Sequence, residues 1–111
     1  MSQPFRINLG GEGEVPGIIN QQGPWILDTS WRSSLHGWTL PQLLSLGHSF
    51  LIAPNTSLPL PDGIVDEVIT NSVPIDRVTY LGPGVQSVEI KRILRSGGRW
   101  INNGLVIWVQ P

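Results

Sequence analysis

Short continuous apolar runs separated by turn residues dominate this chain, and strict alternation of polar and apolar positions is rare. Phe5 to Leu9, Gly17 to Asn20, Ser49 to Ala53 and Val65 to Asn71 each read as a strand, and Arg99 to Val109 as a fifth, bent or broken at Gly104. The run "SFLIA" is apolar throughout, as parallel strands buried on both faces are. Pro54, Pro59 and Pro61 cannot continue its ladder, and Asp62-Gly63 closes the stretch with a turn.

Two segments carry helical spacing. In "TLPQLLSLG" Thr39 is the N-cap, Pro41 lies in the first turn, Leu40, Leu43 and Leu44 share a face, and Gly47 is the C-cap. In "GPGVQSVEIKRILRSGG" Val85, Val88, Ile93 and Leu94 line one face with Ile90 at its margin, and Gly97-Gly98 ends the helix. Strands separated by helices or long crossovers predict an α/β fold with a mostly parallel sheet of about five strands and few helices. The 111 residues provide for a single domain.

Composition narrows the function. Seven basic and eight acidic side chains leave a net charge of -1, so no basic field announces a nucleic acid. Without cysteine there is no disulfide framework, thiolate metal site or cysteine nucleophile. "MSQPFR" lacks the pattern of a signal peptide and no segment approaches 18 apolar residues, which predicts a soluble, cytoplasmic chain in the form given, with no membrane contact.

Ser57 to Gly104 resembles the second half of class I S-adenosylmethionine-dependent methyltransferases. That family carries an "LPF-D-FD-V" run into strand four, then a helix ending "E-RVLKPGG". The counterparts here are Leu58 to Asp62, Val65 to Val68 and Glu89 to Arg99. The opening "INLGGEGE" is similar to the family's first motif, where a strand ends in an acidic or amide residue followed by glycines. The resemblance implies a small Rossmann-like domain in minimal form. The helix after strand one is missing, because about seven residues separate Leu9 from Gly17 where a helical crossover needs a dozen. The final strands are missing or reduced to Val106 to Pro111.

The resemblance further implies S-adenosylmethionine as cofactor, held by Asn8 at the strand end and by Gly10, Gly11 and Gly13. Gln21 and Gln22 stand where the family has an acidic residue for the ribose, and Gln22 is the candidate to replace it. "NSVPID", Asn71 to Asp76, lies where members that methylate amino groups hold their acceptor. Asn71 is the loose counterpart there, and Asp76 with Tyr80 offers an acid/base pair or simply closes the loop.

The residues themselves support a nucleoside-type ligand. In an open α/β sheet, ligands bind beyond the carboxyl ends of the strands. There stand Gly10 to Glu14, Gln21, Gln22, Asn55 to Ser57, Asn71 to Asp76, Asn102 and Asn103. Many amides with few charges suit a neutral or zwitterionic ligand, with Asn55 a further contact, although each asparagine equally caps a turn. Asp28, between Trp25 and Trp31, either joins an aromatic in holding a nucleoside or caps a turn at Thr29-Ser30. Glu12 and Glu14 oppose a phosphate and tolerate an ammonium, favouring S-adenosylmethionine over a dinucleotide. His36 and His48 lack a carboxylate at metal-ligand spacing, so no metal is expected.

Two other functions fit. One is a toxin-type effector domain of a larger secreted bacterial protein, acting on a nucleotide such as NAD. The other is a non-catalytic interaction protein, a homodimer formed through a tryptophan-rich surface or a sheet edge.

Overall fold

The computed structural model describes residues 4–15, 17–80 and 82–111. Met1 to Gln3 of the leader reading and Pro16 lie outside them. Strands β1 (Arg6–Leu9), β2 (Ile19–Gln22), β3 (Ser49–Ile52) and β4 (Val65–Thr70) are followed by a short pair, β5 (Val78–Thr79) and β6 (Gly82–Pro83), and then by β7 (Leu94–Asn102) and β8 (Leu105–Val109). Helix α1 (Leu40–Ser45) precedes β3 and helix α2 (Ser87–Ile93) precedes β7. The main sheet has the order β3-β2-β1-β4-β7-β8 and is parallel except for β8, while β5 and β6 form a separate antiparallel pair.

The sheet therefore has six strands, one more than expected. Of the two alternatives at Gly104, a bend or a break, the structure shows the break: the run from Arg99 to Val109 is the two arms of a hairpin. Asn103 (φ 49°) and Gly104 (φ 83°) occupy its two-residue turn, the left-handed pair that an Asn-Gly sequence favours. The stretch that the resemblance reduced to a remnant is a full partner strand.

Register sorts the side chains into two faces. Ile7, Val68 and Trp100 lie side by side across β1, β4 and β7. With Leu9, Val65 and Leu94 they form the core on which Ile90 and Ile93 of α2 pack. The expected helical face is thereby rotated: Ile90 is fully buried and Val88 is exposed. Val85 belongs not to the helix but to a bridge with Ile75, so it does not share the helical phase. Nor do Gly97 and Gly98 end the helix. It stops at Ile93, and the chain enters β7 directly, with an irregular register opposite Asp66. Arg95 reaches the Asp66 carboxylate across that irregularity.

Helix α1 starts where its sequence signals place it and ends with Leu46, not the expected Gly47, at its C-cap. The Thr39 hydroxyl accepts from the Gln42 N–H and the Gln42 side chain accepts from the Thr39 N–H, a complete capping box. Leu40 and Leu43 are buried, while Leu44 faces outward.

Side chains tie the long connections to α2. Arg92 donates to the carbonyls of Leu58 and Leu60 and to Glu89 and Asp62, clamping the proline-rich segment. Asp76 accepts from the hydroxyl and the N–H of Ser87 at the start of α2. The Arg92 guanidinium holds the Glu89 carboxyl below its ordinary value of 4.5, against partial burial, and the Ser87 hydroxyl and N–H hold Asp76 below 3.8.

Two measurements check this packing. Truncating Ile90→Ala costs about 2–5 kcal/mol in urea unfolding, as deletion of a fully buried aliphatic side chain does. Carboxyls with lowered folded-state values contribute stability that is complete above the unfolded value and is lost as the pH falls below it and through the folded value. The urea midpoint thus drops between neutral pH and about pH 3, and Glu89→Gln removes part of that drop.

Candidate functional site

Strand order reverses between β1 and β4: β2 and β3 continue to one side of β1, and β7 and β8 lie on the other. Beyond the carboxyl ends of strands at such a reversal an open α/β sheet leaves a crevice. A cleft of about 790 Å³ occupies that place, between the loop after β1 and the turn Asn71 to Val73 after β4.

The loop after β1 has no helix to satisfy its backbone, and β2 does so instead. The Gly10 N–H donates to the Gln21 carbonyl at 2.8 Å and to its side-chain oxygen at 3.1 Å. Gly11 donates to the Asn8 carbonyl (3.1 Å), Glu12 to Glu14 Oε2 (2.7 Å) and Gly13 to Asn20 Oδ1 (3.2 Å). Gln22 Nε2 holds the carbonyls of Gly10 and Gly11 at 2.9 and 3.0 Å. Gly11 touches this scaffold so closely that a Cβ there would lie 2.4 Å from Asn20 Oδ1. Every N–H from Gly10 to Gly13 is engaged within the protein, so the loop offers no row of donors to an anion.

Acceptors and rings face the opening instead. Glu12 and Glu14 line the cleft, and no lysine or arginine does. Glu12 accepts from the N–H and hydroxyl of Ser34, drawing the segment Ser33 to Trp38 over the cleft. His36 stacks on Trp38 with ring centroids 4.4 Å apart, and His48 closes the side next to α1. A flat ligand bearing positive charge meets aromatic surface and carboxylates together here.

Of the residues singled out in the sequence, Gly10, Gly13 and Asn71 line this cleft, and Gly11 supports the loop. Asn8 is buried, with Nδ2 on Glu14 at 3.0 Å and its Oδ1 unpartnered. Gln22 is also buried and is a tether, its oxygen accepting from Trp25 Nε1. Asp28 turns back on Ser30, which lowers its carboxyl pKa through the Ser30 hydroxyl and N–H. Asn55 sits in the turn after β3, Asp76 is engaged with Ser87, and Tyr80 is exposed beside the β5–β6 pair; none of the three lines the cleft. The sequence reading does not reach Ser33 to Trp38 or the placing of His36 and His48, because Glu12 and Ser34 meet only through the fold.

Among the described residues no group of three His, Asp or Glu side chains converges as a metal site, and no helix is long and apolar enough to cross a membrane. If Gln22 is a tether, Gln22→Leu costs about 1–3 kcal/mol by leaving buried partners unsatisfied. An unchanged urea midpoint for that variant would remove this role. Compared with family models, curated proteins and solved structures, the chain matches none.

Proposed function

We propose that the cleft between β1 and β4 binds a cationic nucleoside-type ligand, that S-adenosylmethionine is the ligand best suited to it, and that the domain is a minimal methyltransferase-like transferase. The observation that carries this reading is the cleft's composition: two carboxylates, aromatic rings and no free loop N–H from Gly10 to Gly13, at the reversal of strand order. The order β3-β2-β1-β4-β7 supports a Rossmann-like relationship, since it is the order of doubly wound sheets. A pyrophosphate in the same cleft would face Glu12 and Glu14 with no free N–H from the loop Gly10 to Gly13, which weighs against a toxin-type domain that consumes NAD.

Methyl transfer needs an aligned nucleophile and little acid/base assistance. Moving the methyl group from sulfonium to nucleophile leaves a neutral thioether, which loses its attraction to the cleft carboxylates. S-adenosylmethionine is accordingly expected to bind more tightly than S-adenosylhomocysteine in isothermal calorimetry, with the difference narrowing as salt is raised. NAD is expected to give no heat. Absence of heat from S-adenosylmethionine at millimolar concentration, with the protein folded by circular dichroism, overturns the reading.

A second reading, self-association, is favoured by β8. This edge strand exposes Leu105, Val106, Ile107 and Val109, and from Trp100 to Pro111 the chain has no charged residue. Two copies pairing β8 edge to edge would meet without like-charge repulsion. The tryptophans form no single surface: Trp100 is in the core, Trp108 lies beneath Lys91 Nζ, Trp38 lines the first cleft and Trp25 is exposed elsewhere, so the edge is the better surface. Light scattering is expected to give the dimer mass, and Ile107→Lys the monomer mass; a monomer for the unaltered chain excludes it.

A further inference from the structure

A second cleft, of about 500 Å³, shares Ser72 and Val73 with the first and lies at the carboxyl ends of β4 and β7. Its electrostatic character is the reverse. Arg77, Asn102 and Asn103 line it, and no carboxylate does. Both carboxylate oxygens of the neighbouring Asp76 are engaged with Ser87.

Arg77 stands apart from the other arginines. Arg6, Arg92, Arg95 and Arg99 are ion-paired, and Arg32 donates to the carbonyls of Thr29 and Trp31. Among the described residues Arg77 has no carboxylate partner. The two asparagines are arranged alike: Asn102 Oδ1 accepts from Thr70 Oγ1 at 2.8 Å and Asn103 Oδ1 from the Ser72 N–H at 2.8 Å. Their oxygens are engaged, which leaves both amide NH2 groups as donors. The hairpin turn that sets Asn103 at φ 49° also places its side chain against Ser72, itself at φ 54°.

A guanidinium fork and two amide donors around one cavity, without an opposing carboxylate, match the oxygens of an anion. We propose that this second cleft binds the carboxylate or phosphate group of a small molecule. The inference is independent of the methyl-donor reading, because it rests on the second cleft alone.

Titration of the 15N-labelled protein with sodium phosphate and with sodium acetate, at constant ionic strength, tests it without any methyl donor present. Saturable shifts are expected at the backbone of Ser72, Arg77 and Asn103 and at the side-chain amides of Asn102 and Asn103. Stronger binding of phosphate would identify a phosphorylated ligand, and stronger binding of acetate a carboxylate. Arg77→Ala, at an exposed position, weakens binding about tenfold, the loss of one charge-assisted contact. Asn103→Asp keeps the acceptor for Ser72 but replaces the NH2 group with an oxygen, and abolishes saturation. Shifts that rise linearly, spread over the whole chain or persist unchanged in Arg77→Ala overturn the proposal, whether or not Asn103→Asp folds.

Discussion

Hydrogen bonds from the buried amides of β2 to the loop after β1 are the constraint around which this end of the protein is built. A helix in that place would satisfy its own backbone, and a bare glycine loop cannot. Asn20, Gln21 and Gln22 take over the task from inside the sheet, and Gln21 Nε2 also holds the Ala53 carbonyl at 2.7 Å, tying in the end of β3. Polar side chains in an interior strand are unfavourable unless paired. Here all three amides are paired, so the strand "INQQ" trades apolar packing for a fixed loop.

That trade explains how far the sequence was readable. The existence of β1 to β4 and the capped start of α1 follow from apolar runs, prolines and a capping box, which are local signals. Strand β3, expected to be buried on both faces, is instead an edge strand with Ser49 and Ile52 exposed. Gln21-Gln22 carry two messages with one composition: at a strand end they resemble ligand contacts, and only the fold reveals them as tethers. The Asn103-Gly104 turn was written in the chain, but the apolar residues on both sides read equally well as one long strand. At Leu94 the helix passes into β7 with no breaker. Gly97-Gly98, the natural stop signal, lies inside the irregular start of that strand, where a Cβ on Gly98 would come within 3.1 Å of the Asp66 carbonyl. The cleft wall from Ser33 to Trp38 had no local signal.

Charge is divided along the sheet. At the amino ends of β1, β4 and β7, Glu67 lies between Arg6 at 3.0 Å and Arg99 at 2.6 Å, and Asp66 is held by Arg95. Partial burial raises the Glu67 carboxyl pKa and the two guanidiniums bring it below its ordinary value. Half-exposed pairs of this sort add little stability singly. Their arrangement nevertheless engages three of the six arginines, Arg6, Arg95 and Arg99, at the end of the sheet away from both clefts. The carboxyl ends are left with two unlike surfaces, one acidic and one supplied by Arg77.

Ser72 belongs to both of those surfaces, and the Asn103 side chain at the tip of the β7–β8 hairpin fixes its backbone. Were both clefts to bind the ligands proposed for them, and were each ligand to shift Ser72, a wall shared in this way would make their occupancy a linked equilibrium. The shift of Ser72 that one ligand selected would already be made when the other arrived, and the effect on affinity would be equal in both directions. The hairpin tip would then act as the fulcrum of a reciprocal coupling between a cation site and an anion site, although it touches the first of them only through a single serine.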